Sequence, residues 1–433
     1  MEVDSYPDYL RDASEISEKP IGIFFADSEK DVIDVSAVCR RNKIPLVFRG
    51  AGTGYTGGAV PVAKGLVLSL ENLKKLEIDP ERKLAFCGPG ILTIELMKAA
   101  EKHSLFYPPD PASYEESTLG GNVAECAGGL HCKKYGVTKD YVVGLRAITI
   151  MGEILECGIY AENEVLNLSA VLISSEGLLA AVTEIAVRLI NQEQQGPTLL
   201  AAFGKSEDAA RAVSEITRRG IVPSVMEYMD SDSVACSMEY EKILDISGTE
   251  AVLLMETSGE NRQIEAEQIE KICREQRAFH FEKEQLPKKS EKLWKIRRNI
   301  SKGVKESATH KISEDVCVPP SRLPELVSFV GWLNDEYPLR INSYGHAGDG
   351  NLHVNFLAQS GDKKEMELIN EAGRRLFVKS LELGGTLSGE HGIGLTKKDV
   401  LSLEFDNPTL NAMKMIKQLF DPENLLNPGK MFK

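Results

Sequence analysis

The first part of the chain alternates short apolar runs with amphipathic stretches. Apolar runs bounded by glycine, proline or charged residues are typical of strands and occur at residues 44–48, 66–70, 84–87 and 145–150. Residues 27–42 are predicted to form a helix, because valine and alanine recur on one face and Asp27 or Ser28 is suited to cap the first turn. Residues 93–103 are predicted to form a second helix.

A polar stretch at residues 191–197, ending in Gly196 and Pro197, is typical of a domain boundary. Beyond it the elements are longer. Strands are predicted at residues 198–203 and 251–256, and helices at residues 206–219, 263–276 and 411–420. This order is typical of an α+β layer with helices on one face of an antiparallel sheet.

Size and charge narrow the class of protein. A single hydrophobic core rarely grows beyond about 250–300 residues, so a chain of 433 residues is expected to form two or more domains. The net charge of −14 opposes non-specific nucleic-acid binding, which needs a basic surface.

No apolar run reaches the roughly 18–20 residues of a membrane span, and the start of the chain is too acidic for a signal peptide, so we expect a cytoplasmic protein. The eight cysteines contain no CxxC pair, which argues against an iron–sulfur or zinc-finger ligand set.

A glycine-rich loop at residues 49–58 follows the predicted strand at residues 44–48. Glycines allow successive backbone N–H groups to turn towards one anion, and such a nest suits a pyrophosphate. Thr53 and Thr56 are possible hydroxyl donors. The spacing Gly52-x-Gly54-x-x-Gly57 also matches the Rossmann fingerprint, but Pro61 and a strand follow where that fold needs a helix. The loop therefore indicates another kind of dinucleotide site, with an ordinary glycine turn as the alternative.

A second cluster of prolines and glycines covers residues 108–111, 118–122 and 127–129. Prolines fix the backbone and glycines permit the close approach of a flat ligand. Taken by itself, the cluster is also compatible with any tight loop.

Three of the seven histidines fall in two glycine-punctuated motifs, at residues 343–356 and 388–394. Residues 347–350 are predicted to be a hairpin turn between strands at 339–346 and 351–357. With a four-residue loop His346 faces Asn351, and His353 lies diagonal to His346 on the same face, within reach of one metal. Glu390 could complete a set of two histidines and one carboxylate with an open coordination position. The alternative is that each histidine is an ordinary core or surface residue.

Arg297 lies on a predicted helix in the sequence Leu293-Trp294-Lys295-Ile296-Arg297-Arg298. A planar guanidinium can grip a carboxylate with two hydrogen bonds. From the residues alone, however, Arg297 is more readily interpreted as a solvated helix charge.

Taken together, the motifs at residues 49–58, 108–111, 118–122 and 144–153 resemble the FAD-binding domain of the vanillyl-alcohol oxidase superfamily. Within it, the chain resembles the FAD-linked glycolate oxidase and D-lactate dehydrogenase family from about residue 20 to residue 430. The resemblance implies an α+β, two-domain flavoprotein. It divides the chain into an FAD-binding domain at 1–190, an antiparallel-sheet cap or substrate domain at 197–400 and a C-terminal segment at 401–433 that packs back on the FAD domain.

The resemblance also implies that the first loop binds the pyrophosphate of FAD and that the second cluster follows the ribityl chain and the isoalloxazine. The implied FAD contacts are Arg49, Gly50, Ala51, Gly52, Thr53, Gly54, Tyr55, Gly57, Gly58, Pro109, Asp110, Thr118, Gly121, Asn122, Ala127, Gly128, Gly177, Val182 and Asn427. The family pattern Ser-Glu-Gly-Thr-Leu-Gly is here Ser175-Glu176-Gly177-Leu178-Leu179-Ala180. This departure weakens the side-chain contacts implied at 178 and 180 and leaves Gly177 intact.

Noncovalent FAD is expected, because no histidine lies in the first loop; His131 and Cys132 are the less favoured candidates for a covalent link. By resemblance, His346, His353 and Glu390 carry a divalent metal, which could be zinc, manganese or iron. The catalytic base matches His391, and the arginine that holds the substrate carboxylate matches Arg297.

The implied reaction is the oxidation of a small D-2-hydroxy acid, of the lactate or glycolate type, to the 2-oxo acid. The resemblance also suggests an iron–sulfur subunit or an electron-transfer flavoprotein as the electron acceptor. Two alternatives remain open: a metal-dependent hydrolase, and a flavin-binding electron-relay subunit without catalysis of its own. If the glycine loop and the histidine cluster have the roles assigned to them, we expect variants in each to fail independently.

Overall fold

The structure is a computed structural model, which describes residues 3–163, 165–238 and 247–432. The chain divides into two compact units. Unit 1 comprises residues 1–129, 136–192 and 390–433, and unit 2 comprises residues 130–135 and 193–389. Apart from the short segment 130–135, the chain passes from unit 1 to unit 2 after residue 192 and returns after residue 389.

Unit 1 contains a small parallel sheet with the strand order β1-β3-β2. Its strands are β1 (Gly22–Phe25), β2 (Leu46–Arg49) and β3 (Leu66–Ser69). Helix α1 (Glu29–Asn42) connects β1 to β2 in the chain, and both strands pair in parallel with β3, which lies between them. The Ser28 hydroxyl accepts a hydrogen bond from the Asp31 N–H and caps α1, as the sequence predicted.

A five-stranded antiparallel sheet, in the order β4-β5-β9-β7-β8, forms the rest of the unit 1 scaffold together with a two-stranded sheet of β6 and β10. The strands are β4 (Leu76–Asp79), β5 (Leu84–Cys87), β6 (Leu105–Phe106), β7 (Val142–Thr149), β8 (Ile154–Gly158), β9 (Ala180–Arg188) and β10 (Ile190–Asn191). The helices of this unit after α1 are α2 (Thr93–Glu101), α3 (Leu119–Glu125), α5 (Thr138–Tyr141), α6 (Ser169–Leu172) and α13 (Asn407–Phe420). Leu425 and Leu426, which follow α13, share a buried core cluster with Val32 and Leu46.

Unit 2 is built on a seven-stranded antiparallel sheet with the order β14-β11-β13-β12-β16-β17-β15. The strands are β11 (Gln195–Phe203), β12 (Val225–Asp230), β13 (Ala251–Ser258), β14 (Ala278–Glu284), β15 (His310–Cys317), β16 (Arg340–Gly345) and β17 (Asn351–Ala358). The helices are α4 (Cys132–Tyr135), α7 (Ser206–Arg218), α8 (Ser231–Met238), α9 (Arg262–Glu275), α10 (Pro287–Glu306), α11 (Leu323–Glu336) and α12 (Lys363–Glu382). Among the described residues, short 3₁₀ turns lie at Val3–Ser5, Pro7–Leu10, Val62–Lys64, Pro320–Arg322 and Leu401–Leu403.

Both faces of strands β11 and β13 are buried in unit 2. Successive residues Leu199 and Leu200 of β11 are both 0% exposed, as are Leu253 and Leu254 of β13. The two strands are continuous apolar runs rather than alternating ones, and such runs are typical of strands covered on both sides. Among the described residues, no helix is long and apolar enough to cross a membrane.

Candidate cofactor loop and histidine centre

The glycine-rich loop begins where β2 ends, in unit 1. Gly52 and Gly57 have φ values of +76° and +81°, which side chains with a Cβ rarely adopt. A Cβ on Gly50 would lie 2.1 Å from the Thr118 hydroxyl, so this glycine allows the loop to approach the residue that caps α3. Gly54 is different, because a Cβ there would meet no atom within 4 Å. Gly50, Gly52 and Gly57 thus shape the loop, and the open space at Gly54 fits the approach of a pyrophosphate to the backbone.

Arg49 holds this loop from inside the protein. Its side chain is 4% exposed and donates hydrogen bonds to the carbonyl oxygens of Arg11 (2.8 Å), Asp8 (2.8 Å) and Ala59 (3.3 Å). Its guanidinium also lies 4.9 Å from the centre of the Tyr9 ring. The side chain of Arg49 therefore supports the loop, and its contact with FAD stays a prediction.

The second cluster packs closely in unit 1. Thr118 accepts a hydrogen bond from the Gly121 N–H at the start of α3, and Asn122 donates to the Thr93 hydroxyl at 2.7 Å. A Cβ on Gly129 would lie 2.2 Å from the Asp110 carbonyl oxygen. The remaining predicted positions in this region lie in loops and are Pro109, Ala127 and Gly128. Val182 lies on β9, opposite Ala147 of β7.

Asn427 and Gly177 are brought together although 250 residues separate them in sequence. The Asn427 amide donates to the carbonyl oxygens of Glu176 (3.1 Å) and Gly177 (3.2 Å), and Gly177 has a φ of +67°. The Lys430 ammonium donates to the Asn427 side chain and to the carbonyl oxygen of Gly58, at 3.0 and 2.7 Å. The C-terminal segment of the chain thus reaches the end of the glycine-rich loop.

His391 rests on the same loop. Its imidazole stacks on the ring of Tyr55 with 4.8 Å between centroids and 25° between planes. Its carbonyl oxygen accepts a hydrogen bond from the Thr56 hydroxyl at 3.3 Å. The predicted base and the predicted pyrophosphate loop are therefore in direct contact within unit 1.

Glu176 anchors the segment that follows His391, and sequence analysis missed this role. Its buried carboxylate accepts hydrogen bonds from the backbone N–H groups of Ile393 (2.8 Å) and Gly394 (2.7 Å). Burial raises the pKa of Glu176 in spite of these two hydrogen bonds, and it lowers the pKa of Lys430 to about 7. The sequence signal for Glu176 was the Ser175-Glu176-Gly177 motif, of which only Gly177 was predicted to be a site residue.

In unit 2, the β16–β17 hairpin brings two predicted metal ligands side by side. Tyr344 pairs with His353, and the same register puts His346 opposite Asn351, whose N–H donates to the His346 carbonyl oxygen at 3.2 Å. The rings of His346 and His353 are 5.5 Å apart between centroids and are 5% and 6% exposed as residues. The predicted register and the predicted shared face are confirmed.

Glu227 on β12 orients His346, and sequence analysis did not identify it. Its carboxylate lies 2.7 Å from Nδ1 of His346 and accepts a hydrogen bond of 2.5 Å from Nε of Arg297. Burial would raise the pKa of this fully buried acid, but the charges of His346 and Arg297 outweigh burial and lower it to about 2. A carboxylate on Nδ1 leaves Nε2 of the imidazole to act as a metal ligand, which is the usual arrangement around metal-binding histidines.

Arg297 is 7% exposed, so its interpretation as a solvated helix charge is wrong. It projects from α10, and its guanidinium lies over the Tyr344 ring at 4.9 Å from the centroid. The Glu227 carboxylate compensates its charge, which makes burial possible. Its neighbour Arg298 instead forms an exposed ion pair with Glu291.

Glu390 is the first residue of the chain after it leaves unit 2. The preceding residue, Gly389, has no room for a side chain, because a Cβ would lie 1.6 Å from the amide nitrogen of Asn351. On the other side of Glu390 is His391, whose Nε2 lies 3.9 Å from the Glu390 carboxylate. A role of Glu390 as the third metal ligand stays a prediction.

Comparison with known proteins identifies two matching family models. One, described as FAD binding domain, matches residues 20–158, and the other, described as FAD linked oxidases, C-terminal domain, matches residues 192–431. The chain is 36% identical to glycolate oxidase subunit GlcD of Bacillus subtilis over 98% of this chain and 92% of that protein. It is 35% identical to D-lactate dehydrogenase of Archaeoglobus fulgidus over 92% of this chain and 89% of that protein.

Solved structures extend the likeness to the fold. The crystal structure of p-cresol methylhydroxylase with substrate bound superposes with a TM-score of 0.80, covering 99% of this chain and 93% of the other at 14% identity. That of 4-ethylphenol oxidase from Gulosibacter chungangensis, in its isoeugenol complex, superposes with a TM-score of 0.76. The predicted fold class, an α+β flavoprotein of the vanillyl-alcohol oxidase type with an FAD-binding and a sheet-rich domain, is confirmed.

Proposed function

Because the chain belongs to the FAD-linked oxidases, we propose that it oxidises a small D-2-hydroxy acid, of the lactate or glycolate type, to the 2-oxo acid with noncovalently bound FAD. Two of its relatives are named for glycolate and D-lactate. The observation that carries the proposal is the buried Glu227 carboxylate, which holds an imidazole and a guanidinium at once. Such an array suits a substrate that presents a hydroxyl beside a carboxylate.

The reaction removes a hydride and a proton from the substrate carbon and hydroxyl. Bound FAD would supply the acceptor for the hydride from C2. His391 takes the hydroxyl proton as a neutral imidazole, and the C2–O bond becomes a carbonyl. Arg297 binds the substrate carboxylate, and its guanidinium is held by a hydrogen bond from Nε to Glu227 and by the ring of Tyr344.

A divalent metal is proposed to assist, held by His346, His353 and Glu390. Two imidazoles and a carboxylate suit zinc, manganese or iron, and such a metal lowers the pKa of the alcohol it contacts. The fit to a metal rests on the donor set of this chain. His346 and His353 are buried side by side, and the Glu227 carboxylate on Nδ1 fixes the tautomer of His346.

The electron acceptor is proposed to be a partner protein, either an iron–sulfur protein or an electron-transfer flavoprotein. The relative from Bacillus subtilis is named as one subunit of glycolate oxidase, and the eight cysteines of this chain contain no CxxC pair. Reduced protein should therefore pass electrons faster to an artificial or protein acceptor than to oxygen. Rapid stoichiometric production of peroxide would show an oxidase instead.

The test is anaerobic bleaching of the flavin by a panel of D- and L-2-hydroxy acids, followed in wild type and two variants. His346→Ala should keep FAD but lose metal and nearly all turnover, because two remaining ligands cannot define the metal geometry. His391→Ala should keep metal and FAD, while flavin reduction slows by about 10²–10⁴-fold, the usual contribution of a general base. Acid or heat should release free FAD from all three proteins.

Each assignment can fail separately. If no 2-hydroxy acid bleaches the wild-type flavin, the protein is an electron-relay protein or acts on another substrate class. A colourless protein with metal would favour the hydrolase. If His346→Ala reduces its flavin at the wild-type rate, the metal assignment is wrong and the histidine pair is structural.

A further inference from the structure

The segment that carries His391 is fixed at its backbone from two sides, both in unit 1. Glu176 accepts hydrogen bonds from the N–H groups of Ile393 and Gly394. On the other side, Thr56 donates its hydroxyl to the His391 carbonyl oxygen, and its own carbonyl oxygen accepts the Leu395 N–H at 2.7 Å. These contacts locate the Cα of His391 but do not set the plane of its imidazole.

The ring of Tyr55 lies against the face of that imidazole. Its ring lies 4.8 Å from the imidazole centroid at 25°, a stacked geometry, while the tyrosine itself stays 40% exposed. Its neighbours in the chain are Gly54, which faces open space, and Thr56, which holds the backbone of the same histidine. Gly54 therefore faces the space predicted for the FAD pyrophosphate, while the next residue, Tyr55, contacts His391.

We propose that Tyr55 is a positioning residue for His391, so that the loop predicted to bind the FAD pyrophosphate also aligns the catalytic base. The inference rests on the proposed role of His391 and adds to it the residue that orients the ring. A general base must be aligned with the proton it removes, within hydrogen-bond distance. If the whole free energy of an aromatic stacking contact serves to align the base, its loss should slow the reaction by about 2- to 12-fold.

The first test compares flavin reduction in FAD-loaded Tyr55→Ala, Tyr55→Leu and Tyr55→Phe. The alanine and leucine variants lack the ring, and the leucine variant keeps bulk if alanine perturbs the loop. We expect the rate at saturating substrate to fall by about 2- to 12-fold in both, with a smaller change in KM, and to fall less in Tyr55→Phe, which keeps the stack. Phe329→Ala is the matched control, because Phe329 stacks on Trp332 at 5.1 Å and 26° elsewhere in the chain.

The second test asks whether Tyr55 acts through His391. If it does, Tyr55→Ala should cause no further loss in a His391→Ala background, because the residue that it positions is already absent. Additive losses in the double variant would overturn the proposal. A His391→Ala protein with the wild-type rate would instead refute the proposed base, which separates failure of the proposed function from failure of this inference.

A spectroscopic readout at fixed pH is independent of turnover. The chain has seven histidines, so ¹³C-labelled imidazole signals of the holoprotein can be resolved, and the His391 signal is the one lost in His391→Ala. Stacking on an aromatic ring displaces this signal, and we expect Tyr55→Ala and Tyr55→Leu to shift it, Tyr55→Phe to restore it and Phe329→Ala to leave it in place. A His391 signal that does not move in Tyr55→Ala and Tyr55→Leu would overturn the proposal.

Discussion

Gly54→Val separates the ligand role of the glycine-rich loop from its structural role. A Cβ at position 54 would meet no protein atom within 4 Å, and the φ of Gly54 is not among the positive ones. The valine side chain therefore adds bulk only to the space that the pyrophosphate is predicted to enter. We expect a folded protein with unchanged thermal stability in the apo form and a weakened affinity for FAD.

The size of the effect follows from the hydrogen bonds that the loop would offer. A backbone N–H bonded to a charged oxygen contributes about 1.5–3 kcal/mol, so a side chain that holds the phosphates away from one N–H should raise the Kd of FAD by about 10- to 150-fold. Loss of several such bonds would give apoprotein. The assay is calorimetric titration of deflavinated protein with FAD, with circular dichroism to check folding.

Gly57→Val is the control with the opposite expectation. Gly57 has a φ of +81°, and a Cβ there would lie 2.8 Å from the side chain of Leu395. A β-branched residue in this conformation should cost about 1–2 kcal/mol in backbone strain and about 1–3 kcal/mol in overpacking, whether or not FAD is present. If Gly54→Val binds FAD as tightly as wild type, or if it unfolds like Gly57→Val, the pyrophosphate assignment of the loop is wrong.

Two further predictions concern buried charge in unit 2. Burial raises the pKa of Glu256 to about 7, against a smaller opposing effect of His131, whereas the unfolded chain releases this proton near 4.5. The free energy of unfolding of wild type therefore falls as pH rises from 4.5 through 7. In urea unfolding, Glu256→Gln should be as stable as wild type below pH 4.5 and more stable above pH 7, by at most about 3 kcal/mol. A constant difference across that range would contradict the assignment. Glu227→Gln should lower the free energy of unfolding by about 3–5 kcal/mol because it removes the carboxylate that compensates the buried Arg297 charge, and Glu227→Met combined with Arg297→Met should recover most of that loss. Unfolding of the double variant at a denaturant concentration as low as that of Glu227→Gln would contradict this.

The β16–β17 hairpin could be predicted from sequence because its information is local. A four-residue turn fixes the register, and the period of two along each strand then assigns His346 and His353 to one face. The structure has that register. The elements with strong boundary signals were predicted equally well: the Ser28 cap and the last residue of α1, Asn42, are those expected.

Glu227 could not be predicted, because its role depends on strand order rather than on a motif. It lies 119 residues from His346 in the chain, and the two side chains meet because β12 pairs with β16 in the sheet. The position of Glu227 on β12 also explains why Arg297 is buried. A helical arginine is solvated by default, and only the buried carboxylate on a strand 70 residues earlier makes its burial possible. Long-range pairing of charges leaves no periodic trace in a sequence.

The glycine loop is expected to be independent of the motif that contains His346 and His353 but not of the motif that contains His391. His346 and His353 lie in unit 2 and are held by the hairpin and by Glu227, so loss of FAD from a loop variant should leave their arrangement intact. His391 belongs to unit 1, where Tyr55 covers its ring and Thr56 holds its carbonyl group. A change in the glycine loop is therefore expected to disturb the proposed base, His391, whereas the proposed ligands His346 and His353 are held within unit 2. Two motifs that looked alike in sequence, each a histidine among glycines, differ in which part of the protein determines their geometry.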